Sequence, residues 1–256
     1  MNTAGNPGAA PARGERLEPL WAGYAVLTAD GHTFGTDTIL LADFSMPRPG
    51  ETCADLGTGC GAIPILWCAR SSPAAVYAAE LQRNACALAE RSVRLNGLER
   101  KIRVVRGDVR RLPGTGALPR GLDLIACNPP YGKAGCGVPS AGESRRVARQ
   151  ETCCGFSDFA RTAGAFLRWG GRFCFCLRPD RLCEAADGLR AAGIEPKRLR
   201  FVQQRDGKAP FLFLLEGRRG GKPGLAVEPT LLVESPGGGP SPETLRIYGG
   251  FREGRT

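Results

Sequence analysis

Between Thr52 and Glu216 short apolar runs alternate with stretches of helical period. Thr52–Leu56 ends in glycines and predicts a strand. Ala62–Arg70 predicts a helix, with Pro64 tolerable in its first turn. Val76–Leu81 is a second strand. Asn84–Leu95 is an amphipathic helix stopped by Asn96-Gly97. Ile102–Val105 and Leu122–Cys127 are the third and fourth strands, the latter halted by Pro129-Pro130. Phe156–Trp169 predicts a helix closed by Gly170-Gly171, Arg172–Leu177 a fifth strand, and Asp180–Ala192 a further helix. Leu199–Gln203 and Phe211–Glu216 are two more strands. Strand–helix repetition predicts a parallel sheet with helices on both faces. The link Gln204–Pro210 is too short for a crossover helix, so the last two strands are expected as an antiparallel hairpin at a sheet edge.

The flanks read differently. Residues 1–14 are Gly, Ala and Pro with little else, as expected of a flexible leader. Gly217–Gly224 and Pro236–Pro242 are Gly/Pro-rich loops. The organisation expected is one domain over 15–256. It has a lead-in at 15–50, a ligand-binding core at 51–218 and a C-terminal extension at 219–256.

Composition narrows the class. Of 256 residues, 42% are hydrophobic and 23% charged, enough apolar material for a core. No apolar run approaches the ~18 residues of a membrane span, and no secretory signal opens the chain. A cytoplasmic protein without a membrane partner is expected. Eleven cysteines, an odd number without a C-x-x-C pair, argue against a disulfide scaffold. With His32 the only histidine, no metal is expected. Cys174 and Cys176, two apart in an apolar run, should point to one face of a strand. The net charge is +10, and Arg91–Arg120 holds nine basic residues against Glu99 and Asp108. Such an excess suits a protein that meets nucleic acid.

The chemistry begins at Asp55-Leu56-Gly57-Thr58-Gly59-Cys60-Gly61, between a strand and a helix. Glycines let the backbone turn tightly and approach a ligand. In such sheets ligands bind at the carboxyl ends of the strands. The pattern is G-x-G-x-G rather than the dinucleotide G-x-G-x-x-G. Asp55 would repel a phosphate and suit a ligand amino group. Glu80, at the end of the second strand, can accept hydrogen bonds from two ribose hydroxyls. Asp108, after the third strand, suits an adenine amine. An ammonium, a ribose and an adenine without phosphate describe S-adenosylmethionine.

Asn128-Pro129-Pro130-Tyr131 follows the fourth strand. Two prolines freeze the backbone and remove two N–H donors. The Asn128 side-chain oxygen and the Pro129 carbonyl form a rigid pair of acceptors that can grip a planar –NH2 group. That grip aims the nitrogen lone pair at a methyl sulfonium, by positioning and electrostatics. Tyr131 offers a face for stacking a base or amide.

The glycine loop with Asn128–Tyr131 resembles the class I S-adenosylmethionine-dependent amino-methyltransferases. With Phe34-Gly35-Thr36-Asp37-Thr38-Ile39-Leu40-Leu41, Ala148-Arg149-Gln150-Glu151 and Glu243-Thr244-Leu245-Arg246-Ile247-Tyr248, the chain resembles the bacterial tRNA(Val) adenine-N6 methyltransferases over about Leu17–Tyr248. The resemblance implies an α/β, Rossmann-like fold with a seven-stranded, mostly parallel sheet and an antiparallel last strand. It implies N6-methylation of an adenine beside the anticodon of tRNA. Asp55, Gly57, Gly59, Gly61, Glu80 and Asp108 would hold the cofactor, with Thr36 and Asp37 closing over its methionine part. Asn128, Pro129 and Tyr131 would be catalytic, and Arg145, Arg146 and Arg149 would hold substrate phosphates. A monomer is favoured.

Other readings share the motifs. Protein glutamine methyltransferases acting on release factors also carry Asn-Pro-Pro-Tyr, but usually behind a helical domain of ~70 residues, where only about 50 residues precede Asp55 here. Ribosomal RNA guanine-N2 methyltransferases often add a duplicated leading domain. A non-catalytic RNA-binding protein would have no use for an amine-gripping turn.

Overall fold

The computed structural model describes residues 11–129 and 154–249. Tyr131, Arg145, Arg146, Arg149 and Gln150 lie outside them, as do the first ten residues of the expected leader.

The central sheet begins where the pattern places it. Strands β3 (Thr52–Leu56), β4 (Ala75–Glu80), β5 (Ile102–Arg106) and β6 (Leu122–Cys127) are all parallel, with β3 between β4 and β6. Helices α2 (Ala62–Arg70) and α3 (Arg83–Leu95) connect β3 to β4 and β4 to β5. On α3 the buried positions Ala85, Leu88, Ala89, Ser92 and Val93 recur at helical spacing, so one stripe packs inward while Arg83 and Arg94 face water.

Ahead of the sheet, β1 (Glu15–Pro19) and β2 (Ala25–Ala29) form an antiparallel hairpin that docks on α3. Ser92 Oγ accepts from Leu27 N (2.9 Å), and the Asn96 amide exchanges two hydrogen bonds with the Ala25 backbone. Arg91 bonds both carboxylate oxygens of Glu15. Helix α1 (Thr36–Phe44) follows and is buried nearly all round, from Thr38 to Ala42 and at Phe44.

The second half departs from expectation in four places. Helix α4 (Phe156–Phe166) stops three residues early, and β7 runs over Leu167–Leu177. Leu122 pairs with Leu167 and then the register shifts, so Gly170-Gly171 interrupts a strand instead of closing a helix. A Cβ on Gly171 would meet the Arg168 and Leu122 carbonyl oxygens at 2.9 Å, and Gly170 has φ +75°. Only glycine fits this bulge. Next, after α5 (Leu182–Ala191), strand β8 is ten residues long, Ile194–Gln203. Third, β9 (Leu212–Arg219) is antiparallel to β7 and β8 and lies between them, so the hairpin is real but its last strand is internal. Finally, among the described residues the sheet has nine strands instead of seven. Short β10 (Ala226–Val227) and β11 (Leu231–Leu232) pair in parallel with the outer side of β8.

Those two strands carry the chain back along β8 toward α6 (Pro242–Tyr248). Helix α6 packs on α1, where Asp43 receives Arg70 from α2 (2.5 Å) and Arg246 from α6 (3.0 Å). Burial works to raise the Asp43 carboxyl, but the two guanidiniums outweigh it and hold it below the usual range.

Each face of the sheet has its own core. One face gathers Leu40, Leu66, Trp67, Val76, Cys174, Cys176 and Ile247. The other is aromatic, with Phe156, Phe173, Phe175 and Phe213 in mutual contact. Cys174 and Cys176 lie on the same face, both fully buried, as the strand period requires. No helix among the described residues is long and apolar enough to cross a membrane.

Candidate functional site

The carboxyl ends of β3, β4, β5 and β6 bring together the residues that the sequence singles out there. Asp55 is opposite Ala126 in the β3–β6 register and opposite Ala78 in the β3–β4 register. The glycine loop leaves β3 and folds back on β4: Gly57 N and Thr58 N both donate to the Ala79 carbonyl, at 2.8 and 3.0 Å. Gly57, Gly59 and Gly61 have φ of +78°, +57° and +90°, which an L side chain resists. Gly61 also meets Ala89 of α3 closely, so a Cβ there would touch the Ala89 Cβ at 3.4 Å.

Glu80 holds this loop. Its Oε2 accepts from Gly59 N (3.0 Å) and its Oε1 from Gln82 N (2.8 Å). Each oxygen keeps acceptor capacity, because a carboxylate offers about four lone-pair sites. Gly107 N donates to the Glu80 carbonyl, which brings the end of β5 alongside.

Asp55 is the electrostatic anomaly of the site. Its side chain is fully buried, and neither carboxylate oxygen has a hydrogen-bond partner among the described residues. Burial first, and the charge of Glu80 in addition, push its pKa up to about 7. The neighbouring Thr58 hydroxyl works the other way, without reaching hydrogen-bond geometry. A buried, unpartnered carboxylate costs free energy until a donor or cation reaches it.

Asp108 is placed as expected, after β5, but is not free. Arg110 grips it in fork geometry, with Nη2 at 2.5 Å and Nε at 2.9 and 3.0 Å. The Arg110 guanidinium holds the Asp108 carboxyl below the usual range. The next residue, Val109, is tied to α4 through Thr162 Oγ1, which donates to its carbonyl at 2.7 Å. Phe159, from the same helix, stands beside Gly57.

Asn128 emerges from β6 next to this set, half-buried, with Pro129 buried behind it. Its Nδ2 donates to Asp37 Oδ2 and to Thr38 Oγ1, both at 3.1 Å. The Cys176 thiol, from β7, donates to its Oδ1 at 3.2 Å. Thr36 lies beside the Tyr248 hydroxyl, whose pKa is raised chiefly by burial. The first turn of α1 thus faces Asn128 on one side and the end of α6 on the other. Thr38, Cys176, Tyr248 and Arg110 escape sequence reasoning. Cys176 carries a signal in its strand spacing from Cys174, and Thr38 and Tyr248 in the two segments of family resemblance, but none of these gives the residue its role.

The basic run Arg91–Arg120 divides. Arg91, Lys101, Arg110 and Arg120 are bound to Glu15, the Pro73 carbonyl, Asp108 and the Ala165 carbonyl. Arg94, Arg100, Arg103, Arg106 and Arg111 are exposed. Arg94 and Arg100 fall at the amino end of β5, while Arg106 and Arg111 fall at its carboxyl end. Exposed Arg83 and Arg178 follow β4 and β7 and join the second pair around the site.

S-adenosylmethionine fits these residues. Asp55 is the orphaned acceptor that an ammonium would satisfy. Glu80 and Asp108 stand at the ends of β4 and β5, consecutive strands on one side of a glycine loop that carries no phosphate-binding cations.

Comparison with known proteins agrees. Residues 20–143 match the family described as the methyltransferase small domain. A tRNA1(Val) (adenine(37)-N6)-methyltransferase of Tolumonas auensis is 29% identical over 218 residues, 85% of this chain and 88% of that protein. One from Glaesserella parasuis serovar 5 is 32% identical over 145 residues, 57% of this chain and 59% of its own length. Among solved structures, a predicted O-methyltransferase from Agrobacterium tumefaciens aligns with a TM-score of 0.65. It covers 84% of this chain and 97% of its own, at 23% identity, a likeness of fold.

Proposed function

We propose that this chain is a class I S-adenosylmethionine-dependent methyltransferase that methylates the N6 amine of an adenine in tRNA, beside the anticodon; its fold, its match to the methyltransferase small domain and its tRNA-methylating relatives support the reading. The observation that carries the reading is the Asn128 amide. It is held at the strand end adjacent to the glycine loop, with its nitrogen committed to Asp37 and its oxygen turned away from it. An acceptor held in that way grips a planar amine, and no strong general base is needed.

The division of labour follows from the residues. When bound, the cofactor supplies a methyl group on a positively charged sulfur. Asp55 would hold its ammonium, Glu80 its ribose and Asp108 the adenine amine. The glycines bring the backbone close without a Cβ in the way. Asn128 Oδ1 and the Pro129 carbonyl accept the two amine hydrogens and fix the nitrogen's direction. Tyr131 supplies a stacking face for an unstacked base, as single-stranded loops present. Arg145, Arg146 and Arg149, with Arg106 and Arg111, are the cations for RNA phosphates.

The names of both relatives support tRNA adenine over the other amines that the same turn could grip. The test is transfer of labelled methyl from S-adenosylmethionine to unmodified tRNA and, separately, to purified release factors, followed by nucleoside digestion. Label as N6-methyladenosine is expected. Label on release factor alone points to glutamine, and a methylguanosine rejects the adenine. Asn128→Ala should keep cofactor affinity within about threefold and lower turnover at least a hundredfold, because its contact matters most in the transition state. Calorimetry and single-turnover assays check the two halves.

A further inference from the structure

The Asn128 side chain can be placed in its cavity in two ways, differing by a half-turn that exchanges Oδ1 and Nδ2. Only one presents an acceptor to a substrate amine. Among the described residues, Asp37, Thr38 and Cys176 touch the amide. The Thr38 hydroxyl can donate or accept, and so suits either placement. The Cys176 thiol donates weakly and its sulfur accepts weakly, so it also suits either. A carboxylate only accepts. Asp37 is therefore the one neighbour of the three that forces Nδ2 toward α1 and Oδ1 toward the strand end.

Asp37 is itself held. Its Oδ1 accepts from Thr38 N at 2.8 Å, in the first turn of α1, leaving Oδ2 for Asn128. A Cβ on the preceding Gly35 would stand 2.8 Å from Asp37 Oδ1, so the glycine leaves room for this rotamer. On the other side, Thr36 lies beside the Tyr248 hydroxyl of α6. The turn carrying Asp37 thus lies between the end of β6 and the C-terminal helix.

We infer that Asp37 is a positioning residue for methyl transfer, which sets the orientation of the Asn128 amide by hydrogen bonding; this rests on the reading of Asn128 as the amine grip. The substitution that tests it is Asp37→Asn, which keeps shape and removes the acceptor-only character. The introduced amide can offer its own NH2 to Asn128 and so favours the reversed placement, with a donor facing the substrate amine. Asn128→Asp sets two carboxylates against each other. Combining Asp37→Asn with Asn128→Asp restores a donor against an acceptor, and leaves an oxygen toward the substrate.

Turnover on unmodified valine tRNA transcript, at saturating S-adenosylmethionine, should fall at least about tenfold in Asp37→Asn. The double variant should exceed both single variants. A misfolded or merely destabilised site would not recover on a second substitution. A substrate-free readout is the side-chain amide resonance of Asn128 in nitrogen-15-labelled protein, assigned by its loss in Asn128→Ala. Its protons should exchange slowly in the wild type and faster in Asp37→Ala. Unchanged exchange in Asp37→Ala overturns the inference even if no tRNA activity is found. Turnover lost in Asn128→Ala but kept in Asp37→Asn overturns it while leaving the amine grip intact. Turnover kept in Asn128→Ala overturns the grip and the inference together.

Discussion

Asp55 shows how a single residue can be built for a partner outside the chain. A buried acid with no donor is a cost the fold carries alone, and protonation is the cheapest relief. With its pKa raised to about 7, the proton is bound more tightly in the folded state than in the unfolded one. The stabilising contribution is complete below the unfolded value near 4 and is lost as pH rises through about 7. The ligand-free protein should therefore melt at lower temperature at pH 8 than at pH 6. Asp55→Asn should flatten that slope and stabilise the free protein at pH 8, while weakening S-adenosylmethionine binding. Scanning fluorimetry across pH, with and without cofactor, checks both. A slope that survives Asp55→Asn would assign it to another group. The residue type and its place before the glycines are legible in the sequence. Its isolation is not, because burial depends on β4 and β6 closing over it.

At the scale of elements, close approaches decide where glycine is required. Gly164 lies in α4, where helix propensity alone favours alanine by about 1 kcal/mol. Yet a Cβ on Gly164 would drive into the Ala192 carbonyl oxygen at the end of α5. Overpacking against backbone costs about 1–3 kcal/mol, so the clash should win. Gly164→Ala should lower the urea midpoint, read by circular dichroism, rather than raise it. The same logic explains the misread helix end. Glycines after an apolar helix look like a stop. At Gly170-Gly171 they are a bulge, because Leu122 has already captured Leu167 in the ladder. Local pattern cannot distinguish these cases, since the deciding partner lies over forty residues earlier.

The whole molecule shows where charge is available. The run Arg91–Arg120 looks like one basic block in the chain, but parallel topology sends its members to opposite ends of the sheet. The site end keeps Arg106 and Arg111, joined by Arg83 and Arg178 from other crossovers. If these meet RNA phosphates, affinity for tRNA should fall with rising salt through counterion release. Arg106→Ala and Arg111→Ala should each reduce the log–log salt slope by about 1, whereas Arg94→Ala and Arg100→Ala should leave it unchanged. Filter binding at several salt concentrations separates them. Equal effects from both pairs would mean that RNA wraps the far end as well.

The sequence by itself determined the alternating elements of the first half, the glycine loop, the acids at successive strand ends and the Asn-Pro-Pro-Tyr turn. All of these rest on short-range rules of periodicity, turn chemistry and spacing. Tertiary structure decided what pairs across distance. It inserted β9 between β7 and β8, and added two strands from the C-terminal extension to the sheet. It also set Asp37 and Cys176 on opposite sides of the Asn128 amide. Residues 37, 128 and 176 lie on three separate elements with no shared spacing. Only the packing of α1 against β6 and β7 makes them neighbours, because hydrogen bonds depend on where chains meet and not on their order.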